Sequence, residues 1–270
     1  MGKCTCRQVL KSSRDMMNVT LIGAGNLMTN LAPALAAVDD VCIRQVWSRT
    51  EASAKALAEM LGVDFTTDLT AVADADVFII AVKDSALETL VPVLTSRHPE
   101  AVFLHTAGSM PMSLFEGFAR HYGVLYPMQT FTKGKIVDFK EIPVFVEAND
   151  EKALEVVKRL SKGVSDNVYE LSSDKRRYLH LAAVFACNFV NHCYHLSACV
   201  LEQQGIPFKV MLPLIDETAR KVHQLHPHDA QTGPAVRYDQ NVIERQMAMI
   251  DDEKTRQIYE LLSKSIHDKL

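Results

Sequence analysis

Apolar residues fall in short, nearly continuous runs through the first two-thirds of the chain, then switch to a longer period. The runs "NVTLIG" (18–23), "VCIRQVW" (41–47), "VDF" (63–65), "ADVFIIAV" (75–82) and "AVFLHTA" (101–107) read as strands. So do "YGVLYPM" (122–128), "IPVFVEA" (142–148) and "NVYEL" (167–171). Runs without polar alternation suit strands buried on both faces of a parallel sheet. Helical periods separate several of them, at 26–38 with Pro33 as a point of bending, at 51–62 with Gly62 as its stop, and at 150–163. This alternation predicts an α/β fold, a doubly wound parallel sheet with helices on both faces and right-handed crossovers.

Beyond residue 171 only the helical period remains. Residues 172–205 read as one long helix, capped by Ser172 or Ser173 and stopped by Gly205 and Pro207. A second helix over 207–225 carries Pro213 as a bend. A loop follows, then helices over 240–250 and 252–268. The chain thus divides into an extension without periodicity at 1–16, expected to be disordered, a sheet domain at 17–171 and a helical domain at 172–270. Val184, Phe185, Phe189 and Leu196 lie on more than one side of the long helix. It should therefore be wrapped by the other helices and by a second copy, giving a homodimer through the helical domain.

Composition narrows the classes. With 270 residues, 48% hydrophobic and 23% charged, the chain can bury a large core. A net charge of −4 with mixed signs gives no footprint for nucleic acid. No apolar stretch approaches the roughly 18–20 residues of a membrane span. The start, "MGKCTCRQVLKSSRDMMN", is basic but has no apolar centre, so it does not read as a secretory signal. The six cysteines follow neither a disulfide framework nor a zinc spacing, which suits reduced thiols in the cytoplasm.

The strongest local signal is the turn after the first strand. Gly23 and Gly25 hold two positions of Gly-x-Gly-x-x-Gly, while Met28 replaces the third. Gly23 permits the tight turn and Gly25 lets the backbone approach a pyrophosphate. The helix opening at Asn26 and Leu27, after Ala24, points its free amides at that anion. The third glycine serves helix–strand packing, so Met28 displaces the helix without abolishing the site. The second strand ends in Ser48, Arg49 and Thr50, with no carboxylate before Glu51. A guanidinium between two hydroxyls suits a 2′-phosphate, so the expected cofactor is NADP(H) rather than NAD(H).

Together "LIGAGNL", "WSRT" and "IIAVKD" resemble the Rossmann domains of pyrroline-5-carboxylate reductases and of the 6-phosphogluconate dehydrogenase-like group. "HTAGSMPMSLF", "YPMQTF", "HLAAVFACNFVNH" and "QTGPAVRYD" are similar to a narrower bacterial family. Its members join a Rossmann-like domain to a helical domain of unknown function and are labelled as candidate NADP oxidoreductases. The resemblance spans about residues 18–268. It implies a dinucleotide fold, an NADP-type cofactor and a helical dimerisation domain.

In open parallel sheets ligands gather at the carboxyl ends of the strands. Ala81, Val82 and Lys83 should run under the nicotinamide ribose, and His105, Ser109, Gln129 and Thr130 should face a small-molecule substrate. On the long helix His180 and Asn188 are candidate catalytic groups, with Lys175 as another. Imidazole chemistry suits acid–base work at neutral pH, which points to His180. Asn191 and His195 extend its stripe, on a face where polar groups need partners. The related hydroxyacid dehydrogenases place Asn four residues after Lys on this helix. Here Leu179 follows Lys175 at that distance, against such an activity. Arg237, beside Asp239, could bind a substrate carboxylate or close a dimer contact. His223, His226, His228 and Asp229 cluster, but Pro227 and the spacing disfavour a metal site. The expected function is NADP(H)-dependent hydride transfer to or from a small carbonyl or imine compound. The alternative is a non-catalytic NADP(H) sensor.

Overall fold

The computed structural model describes residues 16–269. Residues 1–15, with Cys4 and Cys6, lie outside the described residues, so nearly all of the expected extension does too. Strand β1 (Met17–Ile22) runs through the glycine turn into α1 (Asn26–Ala36), which continues through Pro33. β2 (Val41–Trp47) leads to α2 (Glu51–Leu61), which Gly62 ends in the left-handed conformation expected of a helix stop. β3 (Asp64–Thr66) and β4 (Val77–Ile80) follow, then α3 (Asp84–Arg97). The sequence pattern does not mark α3, because Pro92 sits inside it.

β5 (Val102–His105), β6 (His121–Pro127), β7 (Val144–Ala148), α4 (Glu151–Val164) and β8 (Val168–Glu170) complete the sheet. Its strand order is β3-β2-β1-β4-β5-β6-β7-β8, the doubly wound pattern extended at one edge. One expectation is corrected: β6 and β7 pair antiparallel, so β7 and β8 run against the other strands. A parallel return would need a crossover, usually a helix, and no α-helix lies between β6 and β7.

The apolar runs are buried as both-face burial requires. Val19, Leu21 and Ile79 point into one cluster with α1, α2 and α4. Ile22, Phe78 and Ile80 point into the other with α3. Each such side chain contributes about 1.5–3 kcal/mol when fully buried.

The expected long helix is three pieces: α5 (Ser173–Ala183), a π turn over Val184–Phe189, and α6 (Val190–Glu202). The wider i→i+5 turn breaks the 3.6-residue register that set His180 and Asn191 in one stripe. α7 (Leu212–Lys221) begins with Pro213 in its first turn, so this proline opens a helix rather than bending one. The expected loop after it holds a short helix, α8 (Pro227–Ala230). α9 (Gln240–Met247) and α10 (Glu253–Lys269) end the described chain. The chain divides into two compact units between Val184 and Phe185. α5 stays with the sheet because the Arg176 side chain ties it there. In the second unit Tyr259 Oη donates to Gln246 Oε1 at 2.6 Å, joining α10 to α9.

Candidate functional site

The carboxyl ends of β1, β2 and β4 surround a cleft of about 380 Å³. This is where strand order reverses, between β1 and β4, the usual seat of a dinucleotide. Gly23, Ala24 and Gly25 form its floor, with Ser48, Arg49 and Thr50 on the β2 side and Ala81, Val82 and Lys83 on the β4 side. The structure thus brings these expected residues together. Asn26 and Leu27 do not line the cleft; they open α1 beside it. Trp47, Ser53, Ser85, Ala86 and Lys133 also line it. The glycine motif says nothing of these, and Lys133 arrives from a loop more than a hundred residues further on.

The two glycines have different reasons. Gly23 has φ +113°, and a Cβ there would sit 2.3 Å from the Ala81 carbonyl oxygen. The close approach of β4 therefore adds to the turn in excluding a side chain. At Gly25 φ is an ordinary −80° and a Cβ would meet nothing within 4 Å. The protein itself does not need that glycine; the space before it suits a diphosphate. α1 has neither a side-chain cap nor an acid in its first turn, so its leading amides are available to an anion. Met28 occupies the third glycine position fully buried in the core. Arg49 is exposed and Ser48 buried at the end of β2, a donor set that fits a 2′-phosphate.

A second cluster lies at the ends of β5 and β6, within the same unit. The Tyr126 hydroxyl and His180 Nδ1 are 3.1 Å apart, and the two rings meet edge to face. Gly108 makes this possible, since a Cβ there would lie 2.6 Å from His180 Nδ1. Burial raises the Tyr126 pKa above its usual value, partly offset by the Arg176 charge. The phenol therefore stays protonated at neutral pH and can donate to the imidazole. The sequence marks His180, whereas Tyr126, inside "YPMQTF", carries no signal of its own.

Beneath this pair Arg176 is 1% exposed. Its Nη1 donates to Glu147 Oε2 at 2.7 Å, and Nη2 donates to the Met110 carbonyl at 2.6 Å and to Ser173 Oγ at 3.1 Å. The sequence gives no sign that this arginine, among Lys175, Arg176 and Arg177, is the buried one.

The remaining candidates separate. His105 is fully buried, its ring stacked on Phe115, because strand alternation turns it to the α3 side of the sheet beside Phe103. Desolvation, reinforced by Arg176, lowers its pKa to about 3, so it is a neutral core histidine rather than a group facing substrate. Ser109 is exposed and donates to Asp84 at the start of α3. Gln129 and Thr130 are exposed past β6, with the Thr130 amide donating to Gln129 Oε1 at 2.8 Å. Lys175 is exposed on α5. Asn188, Asn191, His195 and Arg237 belong to the second unit and are exposed. Asp239 caps α9 there. Among the described residues no group of three or more His, Cys, Asp or Glu could hold a metal ion. Nor is any helix there long and apolar enough to cross a membrane.

Residues 18–107 match the family described as NADP oxidoreductase coenzyme F420-dependent, and residues 142–266 match a domain of unknown function (DUF2520). No curated protein matches the chain. The crystal structure of a candidate NADP oxidoreductase from Bacteroides fragilis is 51% identical, with a TM-score of 0.91, covering 95% of this chain and 100% of its own. Two more distant structures share the fold. A pyrroline-5-carboxylate reductase from Coxiella burnetii is 18% identical with a TM-score of 0.56, covering 94% of this chain and 97% of its own. An imine reductase from Myxococcus stipitatus in complex with NADP+ is 16% identical with a TM-score of 0.63, covering 93% and 92%. With a strand-order switch point built for a dinucleotide and a relative this similar over its full length, the chain belongs to the family of NADP oxidoreductases that join a Rossmann-like domain to this helical domain.

Proposed function

We propose that the protein is an NADP(H)-dependent oxidoreductase that moves hydride to or from the carbon of a small carbonyl or imine compound. The observation that supports catalysis over mere binding is the Tyr126–His180 pair at the carboxyl edge of the sheet that forms the cofactor cleft. The names of the two distant structures point to the imine class. When bound, NADPH supplies the hydride taken up by the C=N or C=O carbon. The substrate nitrogen or oxygen then needs one proton. His180 can pass that proton from Nε2 when both ring nitrogens carry one; its Nδ1–H then donates to the Tyr126 oxygen, and a neutral imidazole is left. The test is NADPH absorbance with panels of imines, 2-keto acids and aldehydes. Turnover on one panel is expected; tight NADPH binding with no turnover on any would replace this reading with that of a sensor.

The cofactor choice is tested at the end of β2. Arg49→Ala should weaken NADPH binding by about 10–100-fold, the worth of a charge-assisted phosphate contact, and NADH by less than about twofold. Equal losses for both nucleotides would refute Arg49 as the reader of the 2′-phosphate.

Within the helical unit large apolar side chains are exposed, including Phe185 at 62%, Leu214 at 59% and Leu261 at 70%. Soluble chains rarely leave so much apolar surface uncovered. A second copy is its proposed cover, as a homodimer. Sedimentation should give twice the 30.1 kDa chain mass, and Phe185→Glu should shift it toward monomer. A wild-type monomer at micromolar concentration would end the proposal.

A further inference from the structure

The connection between β6 and β7 carries a tight turn, Thr132-Lys133-Gly134-Lys135. The Lys135 amide donates to the Thr132 carbonyl at 3.3 Å, and these two residues form an isolated antiparallel bridge. Gly134 has φ +82°, the value that the third position of a type II turn requires. Lys133 is thereby presented at the tip, exposed, and it lines the cofactor cleft.

This turn is anchored. Asn30, 1% exposed, lies one helical turn into α1. Its Nδ2 donates to the Asn26 carbonyl at 2.9 Å and to the Thr132 carbonyl at 3.4 Å. Its Oδ1 accepts from the Val137 amide at 3.2 Å. One buried amide thus pins both sides of the Lys133 turn to the helix whose uncapped first turn opens beside the cleft. A buried amide with its groups satisfied in this way holds one geometry, because leaving any of them unpaired is costly.

We propose that Lys133 is a ligand of the cofactor's diphosphate and that Asn30 is the positioning residue that holds it there. The inference rests on the NADP(H) reading of the cleft. Sheet order decides which phosphate. β2, which carries Arg49, lies on one side of β1, while β6, which leads into the Lys133 turn, lies on the other. The anchor reaches α1 at Asn26, beside the amides that suit a diphosphate, and not the β2 end where the 2′-phosphate would sit.

The chain has one tryptophan, Trp47, and it lines the cleft, so its fluorescence reports nucleotide binding without turnover. NADPH and NADH are titrated into the wild-type protein, Lys133→Ala, Asn30→Ala and the double variant. Lys133→Ala should weaken both nucleotides about tenfold and by the same factor, a difference that shrinks at high salt. Asn30→Ala should weaken both in the wild-type background and add nothing in Lys133→Ala. No loss for Lys133→Ala, or a loss confined to NADPH, overturns the diphosphate assignment. An equal further loss from Asn30→Ala in both backgrounds overturns the positioning role. A wild-type protein that binds neither nucleotide overturns the cleft itself, and this inference with it.

Discussion

Arg176→Ala is expected to lower the stability of the sheet-bearing unit by about 3–5 kcal/mol, the cost of removing one partner of a buried ion pair. Ordinary domains have only about 5–15 kcal/mol in total. The reason lies in how many groups the guanidinium satisfies. It serves Glu147, the Met110 carbonyl and Ser173 together, and Ser173 Oγ itself donates to Glu147 and accepts from the Met112 amide. That hydroxyl therefore has its donor and both acceptor sites in use. Truncation leaves the Glu147 carboxylate, whose side chain is only 18% exposed, facing a void without its counter-charge. Arg176→Lys should recover little, because a single ammonium cannot span Glu147 and Met110 as a planar fork does. Arg176→Met with Glu147→Gln should cost less than the single truncation, since it removes the orphaned charge. Urea denaturation followed by Trp47 fluorescence reads this unit directly. A loss below about 1 kcal/mol for Arg176→Ala would show that the network does not hold α5 to the sheet.

His180→Ala is expected to reduce kcat by about 10²–10⁴-fold on whichever substrate class is turned over, while the NADPH dissociation constant stays within about twofold. Loss of the proposed proton donor would act on the chemical step, and the cleft residues that would hold the cofactor are all on other elements of the unit. Tyr126→Phe should give a smaller loss, since it removes only the hydrogen bond that orients the ring. Gly108→Ala offers an independent approach to the same pair: the new methyl must push the imidazole aside, so kcat should fall with no change in nucleotide binding. Retention of full kcat in His180→Ala would remove this residue from the reaction and leave the proton to another group.

The difference between what could and could not be read in advance follows from sequence distance. The strands from β1 to β6, the glycine turn and the polar end of β2 each declare themselves within a few neighbouring residues, and their contacts are those the fold type dictates. The reversal of β7 depended instead on the connection before it, where a helix was absent rather than a signal present. His105 looked like a site residue because it ends a strand at the ligand-binding edge. Only the packing of Phe115 over it shows that its ring is turned inward and neutral. Along the long helical stretch, periodicity assumed an unbroken register, and the π turn over Val184–Phe189 removed that basis.

By itself, then, the chain's residue pattern determined the doubly wound α/β unit, the helical region after it, and a diphosphate-ready turn backed by Ser48, Arg49 and Thr50. These are local matters of hydrophobic period, backbone freedom and adjacent donors. Tertiary structure alone decided that Tyr126 meets His180 across 54 positions, that Arg176 is the buried arginine, and that a lysine from the β6–β7 turn reaches the candidate cofactor cleft. Such meetings depend on how distant segments close on one another in three dimensions, and no spacing along the chain encodes them.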